Sequence, residues 1–73
     1  MKDSKTQRGF EITEFEDTYG VECSLQISSS AEEDKIWLGV NHVNVYRMHL
    51  NREQVAELLP YLERFVETGR IHE

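Results

Sequence analysis

Histidine and cysteine are the residues that most often supply metal ligands or nucleophiles, and this chain holds few of either. His42, His49 and His72 show no spacing typical of metal ligands, and Cys23 alone cannot form a sulfur-rich zinc site. His49 falls just before a predicted helix, where a partly exposed structural role is the simplest interpretation. We expect no metal and no cofactor.

Catalysis has equally little support in the residue pattern. Cys23 paired with a histidine could act as a nucleophile, but it lies on the apolar phase of an alternating strand, where cysteines usually pack as inert residues. Glu14, Glu16 and Asp17 could supply two carboxylates for hydrolysis, yet their spacing singles out no pair. The chain has no glycine-rich phosphate loop and no Gly-x-Ser-x-Gly motif. We therefore predict a protein that is not an enzyme.

Acidic residues outnumber basic ones, 14 to 8, which gives a net charge of −6. Such a chain is poorly suited to direct binding of nucleic acid, but it suits a partner protein with a basic surface. The alternative is a solvated face that only keeps the chain soluble. The acids around the predicted hairpin and the loop after it form the candidate partner-binding surface: Glu14, Glu16, Asp17, Glu22, Glu32, Glu33 and Asp34.

The chain of 73 residues predicts one small domain. A domain of this size buries only about 60% of its unfolded surface, so self-association is a reasonable source of extra stability. A single cysteine favours a reducing compartment, and no apolar run approaches the roughly 20 residues of a membrane span. The polar start MKDSKTQRGF lacks the apolar core of a signal peptide. We expect a cytoplasmic protein with no membrane partner, a flexible tail over residues 1–9 and a single α+β domain over residues 10–71.

Alternating apolar and polar residues predict a small antiparallel sheet. GFEITEFED (9–17) and VECSLQISS (21–29) form a hairpin through the turn DTYG, and Val21, Cys23, Leu25 and Ile27 mark the buried face of its second strand. IWLGV (36–40) predicts a third strand, and VYRMHL (45–50) a fourth that leads into a helix.

A C-terminal helix has clear signals at both ends. Asn51 suits the N-cap, with Gln54 placed to complete a capping box, and Gly69 suits the position after the last turn. Pro60 lies on the polar side, and it predicts either one kinked helix or two helices over 52–58 and 60–68. We favour one helix because the apolar stripe keeps its phase through the proline: Val55, Leu58, Leu59, Leu62, Phe65 and Val66.

The expected fold is therefore α+β, with a sheet of three to four strands covered on one face by a C-terminal helix kinked at Pro60, in the order β-β-β-β-α. Trp37 must point away from Ile36 and Leu38, since side chains alternate along a strand. Either both sheet faces are covered near Trp37, or one of them is an exposed apolar patch. We predict that Trp37 is an interface anchor and that the chain forms a homo-oligomer.

Two long segments carry a resemblance to a known family. TEFEDTYGVECSLQISSSAEEDKIWLGV and RMHLNREQVAELLPYLERFVETGRI resemble small, mostly uncharacterised proteins encoded by bacteriophages and prophages. The shared features are a Cys-Ser-Leu-Gln strand, an Ile-Trp-Leu-Gly strand and a Met-His-Leu-x-Arg-x-Gln helix start, and they cover about residues 10–71. The link NHVNVY is shorter here than in other members. The resemblance implies no activity, only a phage context in which small acidic proteins, anti-CRISPR proteins among them, often bind a host protein.

Three functions follow as hypotheses. The first is a non-enzymatic inhibitor that presents its acidic surface to a basic host protein or complex, one that acts in defence or handles nucleic acid. The second is an oligomeric binder of a signalling nucleotide, with phosphate and base held by Arg47, His49, Arg52 and Trp37 at the helix start. The third is a structural accessory protein of the phage.

Overall fold

A computed structural model describes the whole chain, residues 1–73, as one antiparallel sheet and one helix. The strands are β1 (Lys2–Lys5), β2 (Glu11–Glu16), β3 (Glu22–Ile27) and β4 (Ile36–Val40), and they lie in the order β1-β2-β3-β4. The helix α1 covers Arg52–Thr68. The α+β class and the order β-β-β-β-α are thus confirmed.

The central hairpin forms as the alternating pattern predicts. The amide of Gly20 donates to the carbonyl of Asp17 at 3.0 Å, which closes the tight turn between β2 and β3. Phe15 pairs with Cys23 and Thr13 with Leu25, so these four side chains point to the same face of the sheet. That face is the one that α1 covers, because Cys23 and Leu25 are fully buried.

Two strand assignments made from the sequence were wrong. The flexible tail predicted over residues 1–9 contains a strand, because residues 2–5 form β1 and pair with β2, with Lys2 opposite Glu14. The segment KDSK is polar on both faces, so hydrophobic periodicity gives no signal for it. Residues 45–50 form no strand; Tyr46 is 88% exposed, and the segment is fixed by single hydrogen bonds to the β2–β3 turn.

The helix begins and ends where its capping residues predict. The side chain of Asn51 accepts from the Gln54 amide, and the Asn51 amide donates to the Gln54 side chain, both at 2.9 Å. Gly69 adopts a left-handed conformation at φ 76° and donates to the Phe65 carbonyl. The helix continues unbroken through Pro60, so one helix is confirmed rather than two. It is too short and too polar to cross a bilayer.

The core is small and lies between α1 and the helix-facing side of the sheet. Leu25, Leu58 and Ile71 form its buried centre. Only half of the predicted helical stripe takes part, since Leu58, Leu62 and Phe65 pack inward while Val55, Leu59 and Val66 are exposed. The helix is rotated toward β1, because the Tyr61 hydroxyl donates to the Asp3 carboxylate at 2.8 Å. One flank of the apolar stripe is therefore left in solvent.

Candidate partner-binding face

The sheet face that points away from α1, called here the open face, has no covering layer. The strand register arranges its side chains in three rows across the sheet. The first row holds Ser4, Ile12, Gln26 and Trp37; the second holds Lys2, Glu14, Ser24 and Gly39; and the third holds Glu16 and Glu22.

Three glutamates, called here the acidic patch, occupy the end of the open face near the β2–β3 turn. Glu16 is paired directly with Glu22, and Glu14 lies two residues along β2 on the same face. All three are exposed, and none forms an ion pair within the chain. Like charges directly opposite each other on neighbouring strands destabilise a sheet. Glu16 and Glu22 thus place two like charges opposite each other, while Glu14 faces Lys2 of β1 without forming an ion pair.

The acids of the β3–β4 loop lie at the other end of the sheet. Glu32, Glu33 and Asp34 are exposed, and Glu33 forms an ion pair with Lys35 at 3.5 Å. Five residue steps along β3 separate the two ends, which corresponds to about 17 Å. Six of the seven acids predicted as one surface therefore fall into two separate groups of three.

Asp17 does not belong to the candidate surface, which corrects that prediction. Its side chain is buried and accepts hydrogen bonds from the amides of Tyr19, Val21 and His49, at 2.9 to 3.1 Å. Burial alone would raise the pKa of Asp17, but these amides favour the carboxylate and hold the pKa below its ordinary value. Asp17 connects the β2–β3 turn to the segment before the helix.

Trp37 lies on the open face at the β4 edge and is 67% exposed. Leu38, on the helix side of the same strand, is 40% exposed. Of the two alternatives left by the sequence, the exposed apolar patch is therefore the one found. Trp37 lies on the edge strand β4, whereas the acidic patch lies on the central strands β2 and β3, one to two rows nearer the β2–β3 turn.

The residues suggested for a nucleotide site come together only in part. Arg47 and His49 line an open groove of about 640 Å³ with Tyr19 and Tyr46, and the rings of Tyr19 and His49 stack at 5.0 Å. Arg52 and Trp37 do not line this groove. It therefore offers one guanidinium and aromatic faces, without the second arginine or the indole.

A polar cluster between β1, β2 and the C-terminal residues was missed by the sequence analysis. Glu11, only 8% exposed, accepts hydrogen bonds from the Arg70 guanidinium at 2.7 Å and from the amides of Ile71 and His72. Burial alone would raise the pKa of Glu11, but these donors, with the charge of Arg70, lower it below its ordinary value of 4.5. About sixty residues separate Glu11 from these partners, so no local motif marks the contact.

The same cluster continues through the buried hydroxyl of Thr13. That hydroxyl donates to Asp3 at 3.0 Å and lies 2.9 Å from Nε2 of His72. A threonine hydroxyl carries one hydrogen, so Nε2 of His72 must be the donor of the second bond. Tyr61 donates to the same Asp3 oxygen, and burial together with Asp3 raises the Tyr61 pKa. The cluster fixes the last residues of the chain onto the sheet.

The single cysteine of the chain is poorly placed for nucleophilic chemistry. Cys23 is fully buried, and burial with the nearby Asp17 charge raises the pKa of its thiol, which makes it a poor nucleophile. No three side chains of His, Cys, Asp or Glu lie close enough together to hold a metal ion.

Comparison with family models, with curated proteins and with solved structures gives no match. The resemblance to phage-encoded proteins therefore stays a prediction.

Proposed function

We propose that this protein is a non-enzymatic binding protein that attaches to a basic surface of a partner protein through its acidic patch. The observation that carries the proposal is the direct pairing of Glu16 with Glu22, beside Glu14, on a sheet face with no covering layer. This arrangement costs stability within the chain. A local rule that is broken without an internal compensation is typical of a functional site.

The geometry of the patch suits cationic side chains. Carboxylates on adjacent strands stand about 5 Å apart on a rigid support, and arginine guanidinium groups bind carboxylates with two parallel hydrogen bonds. Charge on an exposed face also accelerates encounter with a partner of opposite charge, and added salt weakens that effect. We therefore expect binding that is fast and steeply dependent on salt.

The chemical class of the partner follows from the same charge. A protein surface that holds nucleic acid is rich in lysine and arginine, and a row of carboxylates can occupy it in place of phosphates. With the resemblance to phage-encoded proteins, this makes a host defence or nucleic-acid-handling complex our proposed target. The protein would act as an inhibitor of the anti-CRISPR kind, in the cytoplasm of the host cell.

Capture of the partner from a bacterial lysate tests the proposal. Tagged protein would be incubated with lysate at low and at high salt, and the retained proteins identified by mass spectrometry. We expect one dominant complex that is released by salt. The triple variant Glu14→Gln, Glu16→Gln, Glu22→Gln should lose it, because the patch is then neutral.

A matched control separates the patch from the overall charge. The triple variant Glu32→Gln, Glu33→Gln, Asp34→Asn also removes three negative charges, but from the loop at the other end of the sheet. We expect it to retain the partner. Equal losses in both variants would show an effect of net charge alone, and a complex that withstands high salt would contradict the electrostatic mechanism.

The groove beside the helix start favours a second candidate function, the binding of a nucleotide. The stacked rings of Tyr19 and His49 present a flat surface to a base, and Arg47 supplies a cation for phosphate. A screen of nucleotides by thermal shift tests this function, since a ligand that binds only the folded state raises the melting temperature. We expect Arg47→Ala to abolish any such shift, and a screen without a shift removes this candidate.

A further inference from the structure

The two edges of the sheet are built differently. Natural proteins protect edge strands from pairing with other chains by means of charged residues, lysine above all. β1 follows this rule, with lysines at both of its ends, Lys2 and Lys5. β4, with the sequence IWLGV, carries no charge and exposes Trp37 and Leu38. β4 is therefore an unprotected edge.

The hydrogen-bond phase of β4 determines which backbone groups are free. The backbone amide of Ser28 donates to the backbone carbonyl of Lys35, and the backbone amide of Asn41 donates to the backbone carbonyl of Glu22. In an antiparallel pair, residues that bond to the neighbouring strand alternate with residues that point away from it. Trp37 and Gly39 therefore bond to β3, while the amides and carbonyls of Ile36, Leu38 and Val40 point outward.

We propose that a second copy of this chain pairs with this edge, β4 against β4, around a two-fold axis through Leu38. The outward groups of Leu38 then bond to those of Leu38 in the second copy. The outward amide and carbonyl of Ile36 bond to those of Val40 in the second copy. By symmetry, the outward groups of Val40 bond to those of Ile36 in the second copy. The two sheets become one continuous sheet of eight strands, and all six outward groups on each β4 are satisfied.

The side chains at this register are self-complementary. The two-fold axis places Trp37 of each copy directly opposite Gly39 of the other, on the open face. Gly39 has no left-handed backbone conformation, and a Cβ atom at this position would meet nothing within 4 Å. The fold of one chain therefore gives no reason for a glycine here, whereas an indole ring from a second copy needs the space that it leaves.

The exposed flank of α1 lies on the same side of the molecule. A helix turns about 100° per residue. Viewed along the axis, Tyr61 therefore lies about 60° to one side of the buried Leu58. The exposed residues of the stripe lie about 60–100° to its other side: Val55, Leu59 and Val66. Tyr61 reaches β1, so the other flank lies toward β4. Val66 on this flank is 84% exposed. The apolar surface of the β4 edge thus continues from the sheet onto the exposed flank of α1.

The area of exposed surface fits a dimer. The chain exposes 5570 Å², whereas a compact monomer of 8.6 kDa exposes about 4,700 Å². The chain therefore exposes about 900 Å² more than a compact monomer, and the exposed side chains of the β4 edge and of the α1 flank contribute to this excess. The dimer also leaves both acidic patches free, because Glu14, Glu16 and Glu22 lie on β2 and β3 and not on the pairing strand β4.

The mass of the full chain in solution, measured by light scattering across a range of concentrations, tests the proposal. We expect twice the mass of one chain. Gly39→Lys should weaken dimerisation by more than about tenfold, because the new side chain meets the indole of the second copy, an expected hot spot. Within one chain the same substitution enters open space, so the monomer should stay folded. Trp37→Lys should give the same result from the other side of the contact.

A substitution on the opposite edge is the control. Ser4→Lys adds the same charge to the open face at β1 and should leave the dimer intact. Hydrogen exchange supplies an independent measurement, since the amides of Ile36, Leu38 and Val40 should be protected in the wild type and exchange quickly in Gly39→Lys. A monomer at all concentrations would overturn the proposal. So would a dimer that persists in both β4 variants with unchanged protection.

Discussion

Glutamates on β2 have opposite roles because strand residues alternate between the two faces. Glu11 points toward the helix and is buried against Arg70, while Glu14 and Glu16 point to the open face and form no ion pair. Residue type alone does not separate these roles. A charge on the helix-facing side of a sheet must be satisfied within the fold, whereas a charge on the open face is available to another molecule.

Replacement of Glu11 by Gln tests its role in holding the C-terminal residues. The variant should lower the free energy of unfolding at neutral pH by about 1–3 kcal/mol, since it removes the charge that accepts from Arg70 and two amides. The folded-state pKa of Glu11 lies below its ordinary value of 4.5. Its contribution is therefore complete above that value and is lost as the pH falls through the lowered folded pKa.

Urea unfolding at neutral and at acidic pH measures both effects. The wild type should lose stability on acidification more steeply than Glu11→Gln, because the variant lacks this titrating group. Glu14→Gln is the control on the same strand and should change stability little at either pH, because Glu14 is exposed and has no ion pair. An identical pH dependence in the wild type and Glu11→Gln would contradict the argument.

At the scale of elements, the sequence predicts structure where a local rule determines it. Asn51 with Gln54 and Gly69 mark the ends of α1 because capping depends on residues within one turn. β1 could not be predicted, because its partners lie on β2 and in the helix and its own residues are polar. The segment at 45–50 alternates like a strand, but its backbone is held by hydrogen bonds to the β2–β3 turn and pairs with no strand.

The residues of the candidate site were likewise predictable only where a local pattern brings them together. Glu14, Glu16 and Glu22 were placed together correctly because they belong to one hairpin, whose register follows from its turn. Glu32, Glu33 and Asp34 are near these residues in sequence, but the length of β3 separates them in space. The contact between Glu11 and Arg70 depends on how the chain ends pack, which no local pattern encodes.

Pro60 allows a prediction about α1 itself. A proline inside a helix removes one backbone hydrogen bond and crowds the preceding turn. Pro60 is exposed, so its ring contributes little packing. Pro60→Ala should therefore raise the free energy of unfolding by about 1–3 kcal/mol in urea denaturation, with Glu57→Ala as the exposed control. A loss of stability would instead show that the packing of Leu58 and Leu62 depends on a bend at this residue.

At the scale of the whole molecule, the small core connects stability to association. Seven of 73 residues are buried, and a chain of this size has little stability to spare. A second copy that binds only folded chains adds to that stability by mass action. The protected β1 edge and the bare β4 edge place this contribution at one side of the sheet.

The melting temperature should therefore depend on protein concentration. For a dimer of chains this small, each tenfold increase in concentration should raise it by about 3–5 °C. Gly39→Lys should melt at one temperature whatever its concentration, because the monomer has no partner to gain. Differential scanning calorimetry on both proteins measures this, with Ser4→Lys expected to follow the wild type. A wild-type melting temperature that does not change with concentration would show that the folded monomer is stable by itself, and that the bare β4 edge contributes nothing to its stability.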